Sequence, residues 1–390
     1  MTVQPVRGAP PPIPSNRPFL TGRELTYIAQ ALEDGLRANK GRFTDACCRW
    51  MRSELGARKV ILTHSATAAL EMSALLCDVR PGDEVIMPSF TYVSTANAFQ
   101  LRGARICFVD IRPDTLNVDE NLIATAVSER TKVIVPVHYG GVGAAMDEIM
   151  ALADARGLVV VEDAAQAVGA TYGDRHLGTI GHLGAYSFHV TKNLMCGQGG
   201  ALVVNDDRFA ARAEVIAEEG TDRERFMRGE VDKYTWNDVG SSFLASEITA
   251  AFLWAQLEQA QMISERRRAV VDHYQRALEP LARRGLLRLP YTPPGCRHNA
   301  HLFYLVLPDR QTCAALDAHL DRHHVQAARH YVPLHTSPMG QRLGHRAGDL
   351  PVTEDVSERL LRLPCYVGLE PRDQDRIVAA IEQCLAGGGG

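Results

Sequence analysis

The stretch Ser187-Phe-His189-Val-Thr-Lys192-Asn193, with Gly197-Gln-Gly199-Gly200 just beyond it, decides how this chain is read. Upstream, an apolar run ends in Val161-Glu-Asp163-Ala-Ala-Gln166. An acid at a strand end, followed by a lysine in a turn that also carries serine and histidine, suits pyridoxal 5'-phosphate. The lysine amine would hold the cofactor aldehyde as a Schiff base, and the carboxylate would hold the pyridine nitrogen. The chain has five lysines against 37 arginines. Only a primary amine forms an imine, so lysine at position 192 stands out against a background that prefers arginine.

Outward from this stretch, strand-like and helix-like segments alternate. Short apolar runs predict strands at 59–63, 83–87, 105–109, 132–137, 158–161, 184–188 and 201–204. Runs without polar alternation are typical of strands buried on both faces. Helical patterns cover 25–33, 44–55, 65–77, 94–102 and 146–156. The expected fold class is therefore α/β with a large, mostly parallel sheet. A long helical stretch over 246–278 bridges to a change of pattern near residue 285. There a strand at 300–307, a helix at 312–323 and a final helix near 373–385 suggest a smaller α+β domain. The expected division is an N-terminal arm over 1–20, a large cofactor-binding domain over 21–260, a small C-terminal domain over 261–386 and a flexible tail over 387–390.

Composition narrows the classes of function. The 390 residues are 46% hydrophobic and 23% charged, as in ordinary globular proteins. A net charge of −4 gives no reason to expect nucleic-acid or anionic-membrane binding. No apolar run approaches the roughly 20 residues of a membrane span. The proline-rich N-terminus lacks the apolar core of a signal peptide. The nine cysteines contain no C-x-x-C pair and read as free thiols in a reducing cytoplasm, with no clustered metal ligands.

Several residues are candidates for holding the cofactor. Thr63-His-Ser65-Ala66-Thr67 places small residues at a strand–helix junction, where amides and hydroxyls suit a phosphate or simply cap the helix. In Pro88-Ser-Phe90-Thr-Tyr92, Phe90 reads as core and Tyr92 as an aromatic that stacks on the cofactor ring. Asp163 has two readings, ring-nitrogen partner or helix cap. Gln166 would bond the ring, and Ser187 would donate to the phosphate. His189 reads equally well as a site residue or a packed core histidine. Gly141-Val-Gly143 resembles a dinucleotide-binding turn but lacks the third glycine and the acid beyond it, so it reads as a loop.

With these residues in hand, the chain resembles the sugar-nucleotide aminotransferases of the DegT/DnrJ/EryC1/StrS family, from about Ile13 to the last helix. Gly22-Arg-Glu-Leu, Pro81-Gly-Asp-Glu-Val-Ile-Met-Pro-Ser, Val135-Pro-Val-His-Tyr-Gly and Glu162-Asp-Ala-Ala-Gln carry the broad match. Gly181-His-Leu-Gly, Arg228-Gly-Glu-Val-Asp-Lys-Tyr-Thr-Trp236 and Gly240-Ser-Ser-Phe-Leu carry a narrower one, to transaminases forming dTDP-4-amino-4,6-dideoxyhexoses of galactose type.

The resemblance implies the fold of pyridoxal-phosphate enzymes of fold type I, like aspartate aminotransferase, and a homodimer with shared active sites. It implies Lys192 as the Schiff-base lysine, Asp163 as the ring partner, Tyr92 as the stacking residue, and Ser65, Ala66, Thr67 and Ser187 as the phosphate cup. In many relatives an asparagine from the neighbouring subunit reaches this phosphate. Here Ser242 holds that position, and Gln198 stands where relatives usually have glutamate. Arg329-His330-Tyr331-Val-Pro-Leu-His335 matches the segment lining the sugar site.

The expected function is transfer of an amino group from L-glutamate to a nucleotide-linked 4-keto-6-deoxyhexose. Lys233, Tyr234 and Trp236, with Arg228, His330 and Tyr331, are the expected substrate contacts; a solvated turn at Asp232-Lys233 and a core Trp236 are the plainer alternative. Two rival functions remain. A pyridoxal-phosphate sugar dehydratase would carry histidine in place of Lys192. A non-catalytic aminotransferase-like regulator would carry an added DNA-binding segment, for which the stretch before Leu20 leaves no room.

Overall fold

The computed structural model describes residues 11–36 and 41–386. The first ten residues of the expected arm and the expected tail over 387–390 lie outside the described residues. The strands, in chain order, are β1 (Lys59–Thr63), β2 (Glu84–Pro88), β3 (Arg105–Val109), β4 (Thr131–Ile134), β5 (Val159–Asp163), β6 (Thr171–Tyr172), β7 (Arg175–His176), β8 (Leu183–Ser187), β9 (Gly200–Val204), β10 (Cys296–Arg297), β11 (Phe303–Val306) and β12 (Leu360–Leu363). Seven of them form one sheet in the order β1-β9-β8-β5-β4-β2-β3. Only β9 runs against its neighbours, pairing antiparallel with both β1 and β8. All other pairings in this sheet are parallel.

The strands are apolar throughout because both faces of the sheet are covered. Alternate residues of one strand go to opposite cores. Ile86 packs with the helices Arg42–Leu55, Met146–Arg156 and Glu247–Leu257. Val85 and Met87 pack on the other side with the helices Ala66–Leu76 and Ala210–Ala217. A separate core joins β11 and β12 to the helices Ala260–Arg283, Arg310–Arg322 and Pro371–Ala386, and also takes in Ile13 of the arm.

Several boundaries differ from the sequence reading. The single helix expected over 246–278 is two, Glu247–Leu257 and Ala260–Arg283, joined through a bend at Glu258 and Gln259. The strand expected over 132–137 ends as β4 at Ile134, shortly before Pro136, which has no N–H to give a sheet ladder. The carbonyl of Pro136 still accepts from the Asp163 amide at 2.9 Å, so the chain runs on beside β5. Gly141-Val-Gly143 is a loop, as expected. Gly141 has φ +78°, and a Cβ there would lie 2.1 Å from Oδ1 of Asn299.

One buried carboxylate fixes the end of β5. Glu162 is fully buried. It accepts from the amides of Gly178 (2.7 Å), Ile180 (2.7 Å) and Gly181 (2.6 Å), and its fourth partner is Nε2 of His138 at 2.8 Å. His138 Nδ1 accepts from the Ala144 amide, so its proton sits on Nε2 and points at Glu162. A glutamine here would set an N–H donor against N–H donors. Glu162→Gln is therefore expected to destabilise the fold by ~2 kcal/mol or more. A thermal melt reads this, and an unchanged melting temperature would remove Glu162 from its structural role.

Candidate active site

The carboxyl ends of β1, β2, β5 and β8 and the start of β9 meet on one edge of the sheet, the usual place for a ligand in α/β proteins. A cavity of about 680 Å³ opens there. Its wall is completed by residues 330–331, by Arg362 and Leu363 of β12, and by Ser15 and Asn16 of the N-terminal arm.

Eleven of the residues expected at the site line this cavity together: Ser65, Ala66, Thr67, Tyr92, Asp163, Gln166, Ser187, His189, Lys192, His330 and Tyr331. Ser65 is the N-cap of the helix Ala66–Leu76, accepting from the Ala68 amide at 3.0 Å. The cap and phosphate readings are thus compatible, since the hydroxyl hydrogen and the first amides of the helix remain to donate. Thr67 Oγ1 bonds Ser94 Oγ at 2.8 Å. The glycine at 200 is a requirement of close approach: a Cβ would sit 2.3 Å from the Ser65 carbonyl carbon and 2.4 Å from the Ala66 nitrogen. The lysine turn and the helix N-terminus can abut only because that side chain is missing.

Asp163 is buried, with no arginine or lysine at ion-pair distance among the described residues. One oxygen accepts from Thr95 Oγ1 at 2.6 Å and the other from the Ala165 amide at 3.1 Å. The second bond is the capping alternative, realised on a turn rather than a helix. The first aims the carboxylate into the cavity. Lys192 lines the same cavity, and its pKa falls to about 8. Burial is the main cause, Asp163 opposes it, and Arg362 adds to it. His189 is exposed to the cavity rather than packed in a core, and its Nδ1 lies 2.9 Å from Thr191 Oγ1 within the lysine turn. Asn193 anchors the far side of that turn, donating to the Asn299 carbonyl at 2.7 Å.

Phe90 is fully buried, as expected, and packs on Tyr139 with ring centroids 5.0 Å apart. Tyr92 is 61% exposed at the cavity wall, a ring free to cover a planar ligand. Gln166 gives its carbonyl to the Gly140 amide (2.7 Å) and its amide N–H to the Tyr331 hydroxyl (2.8 Å), tying two walls together.

Five expected residues, Arg228, Lys233, Tyr234, Trp236 and Ser242, are not brought to this cavity. Tyr234 is 51% and Trp236 80% exposed, so Trp236 is not core either, and Arg228 is engaged with Glu214 and Glu230. The reason is topological: residues 218–242 fold back on themselves away from the cavity, held by the bridges Glu218↔Ser242 and Thr221↔Trp236. Ser242 is exposed on the same stretch. Conversely, Thr95, His301 and Arg362 were missed. Arg362 had a visible signal, a lone charge inside the apolar run Leu360-Leu361-Arg362-Leu363; Thr95 and His301 had none.

The cavity fits pyridoxal phosphate on its own chemistry. It offers a lysine amine, a buried carboxylate, a helix N-terminus and an exposed aromatic ring. Among the described residues no cluster of metal ligands occurs, and no helix is long and apolar enough to cross a membrane.

Comparison with known proteins agrees with this geometry. The family model described as the DegT/DnrJ/EryC1/StrS aminotransferase family matches residues 19–382. The spore coat polysaccharide biosynthesis protein SpsC of Bacillus subtilis is 31% identical over 383 residues, covering 96% of this chain and 97% of that protein. Among solved structures, the aminotransferase TlmJ from Streptoalloteichus hindustanus superposes with a TM-score of 0.88 at 29% identity, covering 97% of this chain and 100% of that one. DesV of S. venezuelae, solved in complex with a ketimine intermediate, gives 0.87 at 30% identity, covering 96% and 99%. Lys192 and Asp163 facing one cavity, on a fold shared with these enzymes from end to end, make this chain a member of the DegT/DnrJ/EryC1/StrS aminotransferase family, a sugar aminotransferase that uses pyridoxal phosphate.

Proposed function

We propose that the enzyme moves an amino group from L-glutamate to a nucleotide-linked 4-keto-6-deoxyhexose, a thymidine-diphosphate sugar, in the cytoplasm and as a homodimer with shared sites. The observation that carries the core of this reading is the single cavity joining Lys192, Asp163 and the Ser65–Thr67 helix start. Pyridoxal phosphate, when bound, supplies an electron sink that acidifies the carbon bearing the amino group. Lys192 holds the cofactor, and its Nζ, once free, takes the proton from that carbon. A lysine brought to about 8 is a base matched to near-neutral pH. Asp163, steadied by Thr95, keeps the ring nitrogen protonated. Ser65, Ala66, Thr67 and Ser187 take the phosphate, Tyr92 covers the ring, and Gln166 holds the Tyr331 wall against it.

The substrate reading rests on the narrow resemblance and on what the 226–242 stretch exposes. Met227 (66%), Tyr234, Trp236 and Val239 (54%) are large apolar side chains left exposed among the described residues. In the proposed dimer this stretch meets the neighbouring subunit, where Lys233, Tyr234 and Trp236 reach the sugar nucleotide and Ser242 the phosphate. Nine free cysteines fit a reducing compartment.

Four outcomes test this. Lys192→Ala should abolish turnover and the yellow absorbance of the bound cofactor; normal turnover would remove Lys192 from its role. Asp163→Asn should keep cofactor but lose most of the rate, and unchanged kinetics would reduce Asp163 to a turn cap. Uptake of pyridoxal phosphate by the apoenzyme should quicken with pH up to about 8 and then level, because the neutral amine is the nucleophile. A rate still climbing toward pH 10 would mean an unperturbed lysine. Finally, kcat/KM for the nucleotide-linked ketosugar should far exceed that for the free ketosugar, since remote binding energy positions the reacting carbon. Equal values would show that the diphosphate is not read.

A further inference from the structure

Three histidines among the described residues line the cavity, and their ring nitrogens are spent differently. His330 has none to spare. Its Nε2 takes an N–H of Arg362, a side chain that can only donate, and its Nδ1 faces the Tyr139 hydroxyl at 3.4 Å. His189 accepts at Nδ1 from the Thr191 amide at 3.4 Å, so its proton sits on Nε2. His301 is the reverse case.

The proton on His301 is placed by a chain of amides. Asn299 donates its side-chain N–H groups to the carbonyls of Gln166 (2.9 Å) and Val168 (3.0 Å), just past Asp163. The backbone carbonyl of Asn299 takes a side-chain N–H of Asn193 at 2.7 Å. That orients the Asn193 amide, whose Oδ1 lies 3.0 Å from His301 Nδ1. An amide oxygen only accepts, so the ring proton of His301 sits on Nδ1. Nε2 keeps a bare lone pair, with no partner among the described residues, on a half-buried ring in the cavity wall. Burial, then the charge of Lys192, with Arg267 and Arg362 behind it, holds the ring neutral. Nε2 is therefore a standing acceptor.

An acceptor in a cavity wall calls for a donor on the ligand. L-Glutamate brings two carboxylates, which only accept, and an amine that is used at the reacting centre. A diphosphate likewise only accepts. The donors left are the hydroxyls of the sugar and the N–H of a base many bonds away. His301 is one hydrogen bond from Asn193, the neighbour of Lys192, so a hydroxyl that reaches Nε2 belongs close to the reacting carbon. In a 4-keto-6-deoxyhexose the ring carbon on one side of the ketone, C3, carries a hydroxyl. The carbon on the other side carries a methyl group and the ring oxygen, with no O–H.

We propose that His301 is a specificity-determining residue for the amino acceptor, its Nε2 accepting the hydroxyl on the carbon next to the ketone. The contact fixes which way round the sugar presents its carbonyl to Lys192. A sugar turned the other way would set a methyl group against Nε2 and leave a polar atom unpaired as the cavity fills. This inference rests on the ketosugar reading of the site and adds the group by which the sugar is read.

The test uses the holoenzyme in its pyridoxamine form, where transfer to a sugar is read as return of the yellow absorbance. With wild type, the thymidine-diphosphate 4-keto-6-deoxyhexose should react roughly 10- to 100-fold faster than its 3-deoxy analogue, the scale of an acceptor left unpaired. In His301→Asn the shorter amide can still donate to Asn193, but nothing stands in the place of Nε2. The preference should then shrink to within about threefold, through a slower parent sugar rather than a faster analogue. The donor half, read as bleaching of the yellow form by L-glutamate, should lose less than the parent sugar does by at least roughly tenfold. Parity between the two sugars in wild type would overturn the assignment. So would a preference that survives His301→Asn, which would give the hydroxyl to another group. Equal losses in both halves would also overturn it, leaving His301 as a prop for the lysine turn. The wild-type comparison decides the matter should the variant fold poorly. If neither sugar nucleotide restores the absorbance, the ketosugar reading falls and this assignment with it. Parity at a brisk rate overturns the role of His301 alone.

Discussion

Two adjacent carboxylates at the end of β5 set the organisation of the site, and the strand pleat separates their duties. Side chains of neighbouring strand residues point to opposite faces. Glu162 goes to the side of the Gly178–Gly181 turn, where three amides and His138 consume its accepting capacity. Asp163 then has to face the cavity, where Thr95 meets it. Were the register of β5 to slip by one residue, the structural acid would enter the cavity and the functional acid would be buried in the turn. The four-partner grip on Glu162 prevents that slip.

The part built on β11 and β12 is fastened to this frame by a buried apolar cluster, in which Phe90, Ile111, Leu116 and Tyr139 meet Leu302, Tyr304, Val306, Val356 and Leu360, and by polar contacts beside it. Asp110, at the end of β3, takes the Val352 and Thr353 amides (2.9 and 2.8 Å) and so caps the helix Pro351–Arg359. Ser89, just beyond β2, meets Nδ1 of His335 at 2.8 Å, while His335 Nε2 meets Glu354 at 2.8 Å. Arg267 joins the segments around His301 and Cys365. The Ser89–His335 tie lies a few residues from Thr91 and Tyr331 of the cavity wall, and Arg267 bonds two wall residues, His301 and Cys365, directly. A cavity walled by both the large sheet and β12 keeps its dimensions only if the two are held together beside it.

The large sheet was legible in the sequence because strands buried on both faces are apolar without alternation, and each such run corresponded to a strand within a few residues. The lysine and aspartate were legible because their chemistry excludes substitutes. The hairpin β6–β7 escaped notice although Gly173-Asp174, between two-residue strands, is a recognised turn signal. The bend at Glu258 and Gln259 carries no glycine or proline and left no trace in the pattern. Arg362 reaches the cavity only through the pairing of β12 with β11, a long-range contact that local pattern does not encode. Lys233, Tyr234 and Trp236 were singled out by residue type, and residue type does not say which wall, or which subunit, a side chain will face.

The scarcity of lysine carries a chemical consequence. Lys59 is held by the Ala210 carbonyl and Glu214, and Lys132 by the Asp78 carbonyl and Asp83. Those attachments occupy both amines. Lys192 is neutral in a large share of apoenzyme molecules at pH 8. An amine-selective acylating or reductive-alkylating reagent small enough to enter the cavity would find a nucleophilic amine there. The apoenzyme thus carries a reactive attachment point inside its cavity, and a bound cofactor acts as its protecting group.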